Sequence, residues 1–265
     1  MKNKLTLVHL YPDNMNLYGD LGNIVTLMMR CQWRNLDLEI QKVKIGDQFD
    51  LKNADIIFLG GGQDLGQKTI AKDLLRRKGE IKEEVEQGLV ALTVCGGFQL
   101  FGKYFQTSKN EQIPGISVFD CYTVADQKRL IGNVVVDIEK SANEWHTEIN
   151  FPRYKESVKT LVGFENHSGK TILGKSCKPL GYVKIGYGNQ GDGGYEGGVY
   201  KNAFGTYLHG SLLPKNPWFA DYLITLAYYR RYKKDFSLLK LDDSIEIAAH
   251  RAAISRAQTA KTLSI

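Results

Sequence analysis

The pattern that most constrains this chain lies in its first half, where short apolar, β-branched runs alternate with stretches of helical period. Residues 5–10, 38–45, 55–59 and 89–94 read as strands, residues 23–33 and 74–87 read as helices, and a third helix begins just after Cys95. Strand–helix–strand order argues for a parallel sheet covered on both faces. Ligands of such sheets bind beyond the carboxyl ends of the strands. The two sharpest loops, GGGQD at 60–64 and CGGFQ at 95–99, both fall there.

The second half is richer in strands, expected over 132–138, 160–164, 180–187, 196–200 and 205–209. Segment 186–198 is so rich in glycine, with Asn189 and Asp192, that it reads as a turn or hairpin loop. Helices are expected over 216–232 and 243–261, the last amphipathic and suited to docking on this domain or on a partner. The expected organisation is an α/β domain over 1–240, with a mostly parallel central sheet flanked by helices and additional strands in the second half. A C-terminal helical extension over 241–265 follows.

With 265 residues, 43% hydrophobic and 24% charged, the chain can bury a full core and has the make-up of an ordinary globular protein. It contains no apolar run near the roughly 20 residues a membrane-spanning helix needs. Its start, MKNKLTLVHLYPD, alternates like a strand and lacks a cleavage site, so a cytoplasmic protein is expected. The formal charge of +6 is modest, and the one basic run, Arg230, Arg231, Lys233 and Lys234, reads as a solvated face or a complement to a helix dipole. No nucleic-acid-binding motif accompanies it. The cysteines at 31, 95, 121 and 177 form no C-x-x-C pair, so neither a zinc site nor a disulfide framework is suggested. Cys31, Cys121 and Cys177 read as packed thiols.

Cys95 differs because an apolar strand runs straight into it and glycines follow as a helix begins. A tight strand-to-helix turn projects a nucleophile out of the sheet and sets a thiol where backbone N–H groups favour the thiolate. Gly96 and Gly97 allow close backbone approach, so the Gly96 N–H can face a developing oxyanion. An inert cysteine at an ordinary strand–helix junction is the alternative. Glycines 60–62 could supply a second oxyanion donor, or only a tight turn; neither phosphate-binding glycine motif is present. A cysteine nucleophile needs a base, and histidine, with an ordinary pKa of about 6.5, suits the task. His209, at the end of a strand, is the best placed; His9, His146 and His250 read as structural or surface residues.

Together these segments resemble the class I glutamine amidotransferases, whose nucleophile sits in a C-x-G-x-Q turn, here Cys95 to Gln99. GFENHSG at 163–169 and FGTYLHG at 204–210 look like the cobyric-acid-synthase-like branch, and NLYGDLGN at 16–23, GGGQD and RLIG at 129–132 extend the likeness over about 5–215. The resemblance implies the three-layer fold of that class and attack by Cys95 on the glutamine side-chain amide, with His209 as base. It further implies Gly61 and Gly96 as oxyanion donors, and Arg129 and Gln99 as substrate-binding residues. Many class I enzymes carry a glutamate two residues after the histidine; here the order is His209-Gly210-Ser211, which fits a Cys–His dyad. Glu165 or Asn166 would then orient the histidine or line the site, and His167 reads as structural.

Ammonia released into neutral water is mostly ammonium and is wasted as a nucleophile, so a second active site is implied. The chain has no P-loop, so ATP and magnesium are expected on a separate chain and no cofactor or metal on this one. Within the branch, the likeness to free-standing glutaminase subunits implies a heterodimer with a MurT-type, Mur-ligase-like subunit in lipid II amidation. Two alternatives stay open: a glutaminase for cobyrinic or cobyric acid amidation, and another cysteine hydrolase of the same fold.

Overall fold

A computed structural model describes residues 3–16, 19–145, 147, 160–234, 237–260 and 263–264. The chain opens with β1 (Lys4–Leu10), α1 (Leu21–Gln32), β2 (Asp37–Val43) and β3 (Ile56–Leu59), continues through α2 (Asp64–Arg76) and α3 (Lys78–Glu86), and reaches β4 (Val90–Val94) and α4 (Gly96–Phe101). It then adds β5 (Tyr104–Gln106), β6 (Gln112–Pro114), β7 (Cys121–Asp137), β8 (Thr160–Leu173), β9 (Gly181–Ile185), β10 (Tyr195–Glu196), β11 (Gly198–Tyr200) and β12 (Ala203–Thr206). Helices α5 (Pro217–Tyr232) and α6 (Ser244–Thr259) and the short β13 (Leu263–Ser264) complete it.

The central sheet has the order β11-β12-β4-β3-β1-β2. All its pairings are parallel except β11 with β12. Because successive strand residues face opposite sides, each strand feeds two cores. Leu5, Leu7, Ile56, Phe58, Val90 and Leu92 pack with Ile24 and Leu27 of α1 and Phe219 and Leu223 of α5. Val8, Leu10, Ile57, Leu59 and Ala91 pack with Ile70 and Leu74 of α2, Ile81 and Val85 of α3, and Phe98 of α4. The mixed α/β fold with a mostly parallel, helix-flanked sheet is therefore as the alternation in the sequence anticipates.

A second, mainly antiparallel sheet is built on the long β7–β8 hairpin, with β9, β10, β5, β6 and β13 around it. Here the expected strands were too short. The β7–β8 ladder is irregular between Ala125 and Leu130, and the polar residues carried out of register there mask the strand period in the sequence. FENHSG accordingly lies wholly within β8. The two sheets meet where Phe164 and His209 exchange backbone hydrogen bonds of 3.2 and 2.8 Å.

Two other expectations are corrected. The helix expected over 74–87 is two helices, the first beginning at Asp64 directly after the glycine loop, with a break at Arg77. The basic run is only in part a solvated face: Arg231, Lys233 and Lys234 are exposed and Arg230 and Arg231 fall in the last turn of α5, but Arg230 also pairs with Glu84 and the Ala54 carbonyl, and Arg231 grips Asp55 through Nε at 2.7 Å, tying α5 to the start of β3. The last helix docks on this chain, with Ile254 and Ala257 against Val135 and Val162 of the β7–β8 hairpin. Residues 17 and 18 of the NLYGDLGN segment, His146 and Lys261 lie outside the described residues. No helix among the described residues is long and apolar enough to cross a membrane.

Candidate active site

β4 is buried along its whole length and delivers Cys95 to the carboxyl edge of the sheet. There the backbone turns at φ 51° and ψ −107°, a region that residues with a Cβ rarely occupy. The turn is held on both sides: the Cys95 N–H donates to the Thr206 carbonyl at 2.8 Å, and its own carbonyl accepts from Gln99 N–H at 2.9 Å as α4 begins. The thiol is thrown out of the sheet and is partly exposed, whereas Cys31, Cys121 and Cys177 are buried. Burial pushes the Cys31 and Cys177 thiols up to about 12, which keeps them protonated and inert.

The strand neighbouring β4 is β12, and three residues beyond its end stands His209, fully buried. The glycine loop after β3 closes over both groups. A Cβ added to Gly61 would lie 2.9 Å from His209 Cε1 and 3.6 Å from the Cys95 Cβ, so only glycine fits there. Cys95, His209 and Gly61 are thus brought together from three adjacent parallel strands.

A residue the sequence did not single out completes the group. Asp20, fully buried at the start of α1, places Oδ1 3.3 Å from His209 Nδ1 and accepts the Gly61 N–H through Oδ2 at 2.7 Å. The acid that meets the histidine is thus Asp20, not Glu165 or Asn166. The Gly61 N–H is directed to Asp20 in this structure, not toward an oxyanion. Burial alone would lower the His209 pKa, but hydrogen bonding and charge from Asp20 and Cys95 outweigh it and carry the ring up to about 10. The imidazolium form is therefore favoured.

In front of Cys95 opens a cleft of about 340 Å³, walled by Gly62, Asp64 and Gln67 on one side and by Arg129, Asn166 and His167 on the other. Arg129 emerges from the irregular part of β7, and its Nε donates to Asn166 Oδ1 at 2.6 Å. Gln99, at the floor, accepts from Gln67 Nε2 at 2.9 Å and donates to the Tyr207 hydroxyl at 3.2 Å. Those bonds leave its amide one N–H and one lone pair.

Glu165 does not orient the histidine. It accepts the Tyr187 and Gly188 N–H groups at 2.6 and 2.9 Å and so anchors the glycine-rich loop after β9. His167 stacks on Tyr207 with ring centroids 3.8 Å apart, a fixed wall of the cleft. His9 packs edge-on to Phe58, with its pKa lowered to about 4 by burial, and His250 Nδ1 donates to the Lys215 carbonyl at 2.9 Å beneath α6. Neither reaches the site. Among the described residues no group of three or more His, Cys, Asp or Glu is arranged to hold a metal ion.

A partly exposed thiol at a strained elbow, with a buried His–Asp pair behind it, is an arrangement for acyl transfer. The comparison with known families decides which kind: the CobB/CobQ-like glutamine amidotransferase domain matches residues 6–217. This chain belongs to that family. As a CobB/CobQ-like glutamine amidotransferase it is 36% identical, over 97% of its length and 98% of the relative's, to the lipid II isoglutaminyl synthase (glutamine-hydrolyzing) subunit GatD of Staphylococcus aureus strain N315. It is 38% identical to the GatD subunit of Streptococcus pneumoniae strain R6, over 92% of this chain and 89% of that one. A probable cobyric acid synthase of Methanothermobacter thermautotrophicus is 28% identical over 83% of this chain, which spans 41% of that protein. Among solved structures, one described as a glutamine amidotransferase superposes with a TM-score of 0.53 over 83% of this chain and 98% of that one, at 16% identity. That likeness bears on the fold alone.

Within this amidotransferase, Asp20 left a signal in the sequence that local reading does not exploit. It sits between Gly19 and Gly22 at a strand-to-helix junction, on the sheet edge that also carries Cys95 and His209. The search for an acid near His209 in sequence fails because the partner lies 189 residues away.

Proposed function

We propose that this chain is the glutaminase subunit of a lipid II isoglutaminyl synthase, a cytoplasmic enzyme of peptidoglycan synthesis. The observation that carries this reading is the Cys95–His209–Asp20 constellation opening on a cleft that Arg129 borders. Similarity to the two GatD subunits over nearly their whole lengths supports the pathway.

In this reading the guanidinium of Arg129 binds the α-carboxylate of L-glutamine. Asp64, the one carboxylate among the residues lining the cleft, faces the α-ammonium. His209 takes the thiol proton and Cys95 Sγ attacks the side-chain amide carbon. The negative oxygen is met by the Gly96 N–H, one of the unpaired amides that open a helix. On the facing wall the glycine loop contributes through Gly62, since Asp20 holds the Gly61 amide. As the tetrahedral centre collapses the C–N bond breaks, His209 returns its proton, and ammonia leaves a γ-glutamyl thioester on Cys95. Water, deprotonated by His209, then releases glutamate and restores the thiol. Asp20 keeps its contact with Nδ1 throughout, holding the ring in place as the imidazolium forms and decays.

The ammonia passes to a MurT-type, Mur-ligase-like partner that binds ATP and magnesium and activates the D-glutamate α-carboxylate of the lipid II stem peptide; the product is D-isoglutamine. The rival within the family is a glutaminase serving cobyrinic or cobyric acid amidation, favoured by the likeness to the archaeal synthase.

The test is glutamate release from glutamine by the purified chain, native and Cys95→Ala, with and without a co-expressed MurT-like ligase. Release that vanishes in the variant, together with ligase-dependent amidation of lipid II, is expected. A folded chain without thiol-dependent release in either setting sinks the reading, and amidation of a corrinoid acid instead of lipid II selects the rival.

A further inference from the structure

The turn that carries Asp20 has no regular secondary structure of its own to fix it, yet its carboxylate must meet a fully buried ring. Beside the bond from Leu21 N–H to Asn16 Oδ1 at 3.1 Å, what holds it is a crossing with the segment just past His209. Ser211 Oγ donates to the Gly19 carbonyl at 2.5 Å, and the same carbonyl accepts the Gly22 N–H at 2.9 Å. Both lone pairs of that oxygen, one peptide before Asp20, are thereby used.

The two strands of this crossing are unusually close. A Cβ on Gly22 would fall 2.2 Å from Ser211 Oγ and 2.9 Å from its Cβ. Ser211 itself sits at φ 49°, directly after Gly210 at φ 72° and opposite Gly19 at φ 80°. Glycine would occupy the serine's backbone conformation without strain, so what the side chain adds at this position is its hydroxyl. A strained residue next to a catalytic base, spending its one polar group on the turn that orients that base, points to a role beyond loop closure.

We propose that Ser211 is a positioning residue: its hydroxyl clips the Gly19–Asp20 turn against the His209 loop and so sets the Asp20–His209 contact. The proposal rests on the glutaminase reading for its effect on rate, but not for its effect on the histidine. Ser211 does not line the cleft in front of Cys95; it acts on His209 through Asp20, and Gly22 is small so that it can. The groups facing the ring are Asp20 on one side and Cys95 on the other, with the buried Glu196 near enough to be felt.

The experiment compares Ser211→Ala, Ser211→Gly and Asp20→Asn with the native chain in its complex with the ligase, following the His209 imidazole by NMR titration alongside steady-state glutamine hydrolysis. Both Ser211 variants are expected to titrate His209 at lower pH than the native chain, in the direction of Asp20→Asn. Their kcat should fall roughly ten- to a hundredfold, as misplacement of a catalytic group does, with KM for glutamine little changed. Native-like thermal unfolding identifies the variants that bear on the question, and Ser211→Gly, which relieves backbone strain, guards against a misfolded alanine variant. A His209 titration that stays native-like in a folded Ser211 variant, while Asp20→Asn shifts it, overturns the proposal whatever happens to the rate. Loss of the glutaminase reading would show separately, as hydrolysis indifferent to Cys95→Ala with the His209 shifts intact.

Discussion

At Cys95 three local demands converge on one residue: the end of a buried strand, a backbone at positive φ, and the first peptide of α4. Holding a side chain in such a conformation costs of order 1–3 kcal/mol, and the flanking hydrogen bonds to Thr206 and Gln99 offset it. The neighbouring His209 has a folded pKa of about 10 against about 6.5 when unfolded. A raised pKa means that the folded state holds the proton more tightly. Its contribution to stability is complete below pH 6.5, declines above that, and is gone once the pH passes about 10. Asp20→Asn removes a principal cause of the shift, so denaturant titrations from pH 6 to 10 should show a shallower loss of stability in the variant than in the native chain. Parallel curves would mean that Asp20 does not hold the charge on the ring.

Among the elements, the short β10–β12 region carries a second buried ionisable group. Glu196 is fully buried; its Oε1 accepts the Thr206 hydroxyl at 3.0 Å and the Tyr207 N–H at 2.6 Å, fixing the strand that leads to His209. Oε2 has no hydrogen-bond partner among the described residues. Burial is the main reason that its pKa rises to about 8, against the bonds from Tyr207 and Thr206 that lower it. For a carboxyl raised in the folded state, the favourable contribution is complete below the unfolded value near 4.5 and lost as the pH climbs through about 8. Glu196→Gln keeps the acceptor and removes the charge. It should leave stability near pH 5 little changed and flatten its fall toward pH 8; a fall as steep as in the native chain would refute the assignment. The β7–β8 hairpin makes a different use of irregularity, since the break in its ladder is what turns Arg129 toward the cleft.

Across the whole molecule, the two ends of the chain are fastened by a buried ionic cluster rather than by apolar contact alone. Arg30 of α1 forks onto Asp221 of α5 at 2.6 and 2.8 Å and reaches Asp243, ahead of α6, at 2.7 Å. Arg34 adds a bond of 2.7 Å to Asp221. Removing one partner of a buried pair leaves uncompensated charge and typically costs about 3–5 kcal/mol. Arg30→Ala should lower unfolding stability by about that amount in a denaturant titration, whereas truncating the exposed Lys4 of the Lys4–Glu39 pair should change little. Since α1 also begins at Asp20, loosening this clamp should reduce glutaminase activity along with stability.

What the sequence determined was local and periodic. The strand–helix alternation pointed to a parallel sheet, and the C-G-G turn and the FGTYLHG string pointed to Cys95 and His209 at its carboxyl edge. Such features are legible where they depend on residues within a few positions of one another, because backbone period and glycine placement act directly there. Asp20 was hidden because its role exists only once β1 lies between β2 and β3, setting the start of α1 beside a strand end 189 residues later. The directions of the Gly61 N–H and of Glu165 were decided in the same way, by whichever donors and acceptors the packed sheets left within reach. A buried polar group must find a partner. Composition and spacing indicate that such a group exists, but only the tertiary structure decides which partner satisfies it.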